Sequence, residues 1–185
     1  VPILEATGRV LAEDIHADAD IPPHDNSSMD GFAVRAADTS GASPGSPVQL
    51  RIIGDLPAGY VTEQNVTPST AIRIMTGAPL PPGADAVVKV EDTETEDEQL
   101  HVFSAVEPGN YVRPAGEDVG QGSLVLRRGT RLRPQEIGML AGLGHQDAPV
   151  GRKPRVAILA TGDELVAIDE PLAPGKIRNT NTYAN

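Results

Sequence analysis

Asp25–Val34 reads DNSSMDGFAV, an odd string for a structural turn. Its first six positions hold two carboxylates, an amide, two hydroxyls and a methionine, where a turn needs only a Gly, Asp or Asn in the right place. Gly31 then releases the chain into Phe32–Val34, an apolar run of strand type. Outward from it, comparable runs recur at Val10–Ile15, Val48–Ile53, Thr70–Met75, Ala86–Glu91, Leu100–Ala105 and Ser123–Leu126, most of them edged by Gly, Pro, Asp or Asn. The body is therefore expected to be β-rich. One helix is expected from Pro134. Gln135 and Glu136 suit a positive helix end, Ile137, Leu140 and Ala141 recur at helical spacing, and Gly144 ends the run. A short helix is also expected around Ile3–Thr7.

Composition narrows the classes. The 185 residues suffice for one or two compact units, and 39% hydrophobic with 22% charged residues fits a folded rather than a disordered chain. With 19 glycines and 17 prolines, long helices are not expected. A net charge of −11 is the opposite of what a phosphate-coating nucleic-acid binder carries. No apolar run approaches the ~18–20 residues of a membrane helix. The absence of cysteine excludes disulfides, thiolate metal sites and cysteine nucleophiles. No basic stretch leading into an apolar run follows Val1, so no signal peptide is read and a cytoplasmic location is expected.

Linkers are expected at Asp20–His24, Thr39–Pro47 and Gly151–Pro154, the last as the main boundary. Beyond it, Arg155–Thr161 (RVAILAT) reads as a strand buried on both faces, as in a parallel α/β sheet. Only 24 residues follow it, too few for the neighbouring strands and helices, so the chain is read as a fragment. Ile72–Pro79 (IRIMTGAP) and Ala157–Glu164 (AILATGDE) share a strand, threonine, glycine, loop order. Such an end offers N–H groups and a hydroxyl to an anion, or simply closes a strand. The acidic stretch Glu91–Glu98 reads as a solvated hairpin tip. Gly41–Gly45 matches a nucleophile-elbow pattern but lacks the flanking strand and helix. The four histidines show no metal-ligand spacing.

Together with Ile74–Val88 (IMTGAPLPPGADAVV), Gly116–Val119 (GEDV), Arg133–Gly144 (RPQEIGMLAGLG) and Ala160–Leu165 (ATGDEL), the Asp25–Val34 string resembles the molybdopterin molybdenumtransferase family, the bacterial MoeA proteins. The resemblance runs from Ala6 to Tyr183. It implies an α+β, β-rich, multidomain fold. Residues 1–25 and 119–150 would form a linear, partly β domain, residues 26–118 an inserted β-rich domain, and residues 151–185 the truncated start of an α/β pterin-binding domain. It implies a homodimer that inserts molybdenum from molybdate into adenylylated molybdopterin, releasing AMP, with the molybdopterin-adenylylating enzyme as upstream donor. By the same resemblance, Asp30, Asp118 and Glu164 are the expected catalytic residues, and Thr76, Arg113, Ser27, Gly162 and Asn181 the expected substrate-binding ones. Pro114 and Ala115 stand where family members often place further arginines.

The expected substrates are anionic, and the average field of an acidic chain repels them. Carboxylates instead suit Mg²⁺, with Asp30 as the expected ligand, although one could equally position water or carry protons. Thr76 and Thr161 offer hydroxyls, and Asn179–Thr182 (NTNT) reads as a helix N-cap cluster. Read without the family, Asp30 before Gly31 would as readily form an Asx-turn. The alternative functions are a non-enzymatic scaffold and a pterin- or molybdate-binding storage protein. The isolated chain is expected to be inactive.

Overall fold

A computed structural model describes residues 1–184, which divide into two units at Val150. In the first unit the strands are β1 (Ile15–His16), β2 (Asn26–Ser27), β3 (Gly31–Val34), β4 (Val48–Leu56), β5 (Thr70–Ile74) and β6 (Ala86–Lys89), then β7 (Thr93–Glu96), β8 (Gln99–Val102), β9 (Val112–Arg113) and β10 (Leu124–Leu126). Six of them form one mixed sheet in the order β6-β3-β5-β4-β8-β7. Only β4 and β5 run parallel, and a parallel pair needs a long crossover. Residues 57–69 supply it, pinned by Val66, whose side chain is buried and whose N–H bonds the Pro82 carbonyl at 2.8 Å.

The sheet is buried on both sides, which is why β3 and β5 read as nearly unbroken apolar runs. Side chains alternate between faces. Phe32, Val34, Leu50, Ala71, Val88, Leu100 and Val102 pack on one face, and Ala33, Leu56, Ile72, Ile74 and Val87 on the other. Each large apolar side chain fully buried here contributes about 1.5–3 kcal/mol.

A third cluster, Ala6, Leu11, Ile15, Leu132, Leu140 and Ala148, joins the start of the chain to its later part. There β1 pairs with β10, and bridges at Pro2–Asp147, Val10–Arg131, Leu11–Val150 and Ile21–Val119 continue the seam. Helix α1 (Pro134–Gly142) buries Leu140 in this cluster. The Glu136 carboxylate accepts the Arg133 backbone N–H at 2.9 Å and its guanidinium at 2.6 and 3.1 Å, closing the first turn. At the other end Gly144, at φ +81°, lets His145 N–H reach the Leu140 carbonyl and its own N–H the Ala141 carbonyl, a Schellman motif.

Several expectations are corrected. Arg155–Thr161 is exposed and forms no strand, since an apolar run becomes a strand only where partners accept its ladder and none does so among the described residues. In Glu91–Glu98 the tip is short: Thr93–Glu96 is a paired edge strand, with a turn at Asp97. Val10–Ile15 contributes single bridges and a strand that starts only at Ile15, because its partners are short segments of the seam. Ala86–Glu91 stops at Lys89, where a 3₁₀ turn (Val90–Asp92) begins, and Leu100–Ala105 stops at Val102. The N-terminal helix is one 3₁₀ turn, Ile3–Glu5.

The second unit holds a parallel pair, β11 (Leu165–Val166) with β12 (Ile177–Arg178), and the single-turn helix α2 (Asn181–Ala184). Asn179 accepts the Thr182 N–H at 3.2 Å ahead of that turn, as an N-cap residue does. Asn185, the last residue of the expected third segment, lies outside the described residues.

Candidate active site

Two loops distant in sequence lie against each other in the first unit. Ser27 donates its N–H to the Ala78 carbonyl at 3.0 Å and accepts the Gly77 N–H at 2.8 Å, while Asn26 bridges to Pro79. Just after this loop, Gly31 allows a second close approach, of β3 to β6: a Cβ there would stand 2.9 Å from the Lys89 Cα and closer still to the Val88 carbonyl oxygen. The glycine after Asp30 is thus a contact between strands.

The loops meet at Asp30. Its Oδ1 accepts the Thr76 N–H at 2.8 Å and the Thr76 hydroxyl at 2.7 Å. These two bonds, backbone first, hold the Asp30 carboxyl below its ordinary value, with the Arg73 charge adding in the same direction. Oδ2 carries no hydrogen bond among the described residues. Asp30 is therefore an exposed carboxylate, oriented through one oxygen and open at the other. No Asx-turn forms on it.

The Thr-Gly turn presents few free donors. Thr76 gives both of its own to Asp30, Gly77 gives its N–H to Ser27, and Ala78 gives its N–H to Met75. Ser27 is buried, and its hydroxyl bonds the Met29 carbonyl at 2.5 Å and the Met29 N–H at 3.2 Å, so it shapes the loop.

Pairing of β2 with β9 sets Arg113 opposite Asn26. The Arg113 guanidinium bonds Glu117 through Nε and Asp118 through Nη2, each at 2.7 Å. Both contacts, Glu117 foremost, raise its proton affinity. The sequence reading named Arg113 and Asp118 separately and missed Glu117, which sits in the same GED string and could have been read as a charge partner. The side chain of Asp25 holds the other side of this segment, accepting the Ala115 N–H at 2.8 Å.

In the second unit Gly162 and Glu164 come together. Gly162 sits at φ +152°, a conformation that favours glycine, and a Cβ there would lie 2.6 Å from a Glu164 carboxylate oxygen. Lys176 Nζ donates to the Asp163 carbonyl. Asn181 opens α2.

Two clefts lie in the first unit, the first of them reaching Pro79 of the meeting loops. One of about 510 Å³ is lined by Pro23, His24, Asp25, Val61, Leu80 and Ala115 among others. Another of about 560 Å³ lies over Phe32, Ile52, Asp55, Arg73, Val90 and Glu98.

Residues 1–144 match the family described as the MoeA N-terminal region (domain I and II). The chain belongs to the MoeA family. It is 45% identical to the molybdopterin molybdenumtransferase of Bacillus subtilis (strain 168), over 98% of this chain and 43% of that protein. It is 44% identical to molybdopterin molybdenumtransferase 2 of Mycobacterium tuberculosis (strain CDC 1551 / Oshkosh), over 98% of this chain and 45% of that one. A crystal structure of the molybdopterin biosynthesis moeA protein from Pyrococcus horikoshii OT3 superposes with a TM-score of 0.92 at 45% identity, covering 99% of this chain and 49% of that one. The MoeA chain described here thus spans under half the length of these curated relatives. No helix in it is long and apolar enough to cross a membrane among the described residues.

Proposed function

We propose that this MoeA chain is the N-terminal part of a molybdopterin molybdenumtransferase, which inserts molybdenum from molybdate into adenylylated molybdopterin and releases AMP. The observation that carries the reading is the Asp30–Thr76 contact, which joins two motifs 46 residues apart into one exposed, ionised carboxylate. The curated relatives named above bear the enzyme's name, which disfavours the scaffold and storage alternatives. Residues 1–25 with 119–150 serve as a linear domain, residues 26–118 as the inserted β-rich domain, and residues 151–185 as the opening of an α/β pterin-binding domain. The working enzyme is a cytoplasmic homodimer whose active-site cleft takes the inserted domain from one subunit and the α/β domain from the other. The adenylylating enzyme supplies its substrate. The isolated chain, which spans under half the length of its curated relatives, does not turn over.

The donor set at Asp30 fits one mode of Mg²⁺ binding. Mg²⁺ usually takes one or two carboxylates, keeps several waters and completes its shell with substrate phosphate oxygens. Asp30 offers an oriented carboxylate with one free oxygen, whereas no group of three His, Cys, Asp or Glu suited to a metal occurs among the described residues. Asp30 is thus the residue that would hold the cation, which when bound offsets phosphate charge. Thr76 fixes the carboxylate's orientation, and its two bonds lower the Asp30 pKa. Asp118 holds the Arg113 guanidinium in place, and Glu164 is the third catalytic carboxylate proposed.

The test is Asp30→Asn, which preserves shape, made in a full-length protein carrying this chain. AMP release and molybdenum incorporated into the pterin should both fall by about a hundredfold or more. Undiminished turnover would refute the enzymatic role of Asp30, and absence of turnover in the unaltered full-length protein would favour the scaffold.

A further inference from the structure

A protein with a net charge of −11 gathers anionic substrates only through local donors. Strand register brings three cationic side chains to the neighbourhood of Asp30: Lys89 opposite Gly31, Arg113 opposite Asn26, and Arg73 opposite Phe32. Lys89 is paired with Asp92 at 3.5 Å, and Arg113 with Glu117 and Asp118 at 2.7 Å each. The donors of the Thr76–Ala78 turn are all accepted within the protein. Arg73 differs. It makes no side-chain hydrogen bond and no ion pair within 4.0 Å among the described residues.

Its placement is also unusual for its strand. Thr70, Ala71, Ile72 and Ile74 of β5 are buried while Arg73 is exposed, at the wall of the 560 Å³ cleft over Phe32 and Ile52. Asp55 stands opposite it on β4, and Asp97 and Glu98 line the same cleft. Those carboxylates disfavour an anion in the cleft, so any anion held there depends on the Arg73 guanidinium. Arg73 stands opposite Phe32 on β3, two residues after Asp30, and its charge acts on the Asp30 carboxylate.

We propose that Arg73 is the anion-receiving residue of this site: its unpaired guanidinium binds a phosphate or oxyanion group beside Asp30 and Thr76, the role the sequence reading assigned to Arg113. A guanidinium hydrogen-bonded to two carboxylates has part of its donor fork occupied, whereas Arg73, though its charge acts on Asp30, has no hydrogen-bonded partner among the described residues and presents the whole fork to an oxyanion. That the anion belongs to the substrate rests on the function proposed above. That an anion binds here does not.

The test uses Arg73→Gln and Arg73→Lys in a full-length protein, with inorganic pyrophosphate as a binding probe followed by calorimetry and adenylylated molybdopterin as substrate. Arg73→Gln should weaken pyrophosphate binding and raise KM by about tenfold or more, with kcat changed far less. Arg73→Lys should recover much of the affinity, and binding to the unaltered protein should weaken as salt rises. Pyrophosphate affinity unaltered in Arg73→Gln would overturn the proposal, as would a loss that Lys fails to rescue and that tracks a fall in melting temperature. If the unaltered protein shows no turnover, the functional reading fails, while pyrophosphate binding still decides the role of Arg73.

Discussion

The two motifs that meet at Asp30 each contain a glycine, and the structure gives them opposite reasons for being there. Gly31 has an ordinary φ but no room: an added Cβ would meet the backbone of Val88 and Lys89, which cannot swing aside as a side chain would. Gly77 has open space around it but sits at φ +83°. Gly31→Ala must therefore push β3 and β6 apart. Overpacking costs about 1–3 kcal/mol, and each strand hydrogen bond lost adds about 1 kcal/mol, so a loss near 3 kcal/mol is expected. For a unit of this size each kcal/mol lowers the melting temperature by roughly 2–4 °C, giving a fall of about 6–12 °C. Gly77→Ala meets only the left-handed backbone penalty of about 1–2 kcal/mol, or roughly 2–8 °C. Thermal and urea unfolding followed by circular dichroism separates the two. If Gly31→Ala is no more destabilising than Gly77→Ala, close approach of β3 to β6 is not what demands glycine after Asp30, and the account of that strand contact fails.

Two further outcomes are expected. Thr76→Val removes the hydroxyl but keeps the backbone donor, so the Asp30 carboxyl should move back toward its ordinary value while remaining below it. Carboxyl-carbon NMR titration measures this, and no movement would show that the hydroxyl does not hold the charge. At the start of α1, the Arg133 guanidinium lowers Glu136 to about 2. Because the folded value is depressed, Glu136 contributes stability above its unfolded value near 4.5, lost as pH falls toward about 2. Glu136→Gln should flatten the urea midpoint across that window, and an equally steep pH dependence in the variant would count against the pairing.

Much of the central sheet was legible because burial leaves a local mark. Thr70–Ile74 and Ala86–Lys89 are short apolar runs between turn residues, and α1 carries its own start and stop. Two-residue strands such as β2 and β9 were not, since they exist only through a partner far along the chain. Arg155–Thr161 misled for the converse reason: an apolar run records what could be buried, not whether anything is there to bury it. Thr93–Glu96 hid as a charged tip because its side chains are largely exposed and only its backbone is paired. At the candidate site the motifs named Asp30 and Thr76, and the structure adds that they touch. Arg73 was overlooked although its signal was visible, a lone charge in a strand otherwise buried.

The seam between the two ends of the first unit has a consequence for how the protein is made. Val1 is held by the Ala148 carbonyl, and Asp14 by the Arg128 amide, contacts spanning 147 and 114 residues. On the ribosome, the opening stretch emerges long before either partner exists. The six-stranded sheet, complete by Val102, can assemble while that stretch still waits unpaired, with Leu11 and Ile15 exposed to chaperones and proteases. Translation past the segment after Val119 is the event that lets residues made earlier, Leu11 and Ile15 among them, become among the last to fold.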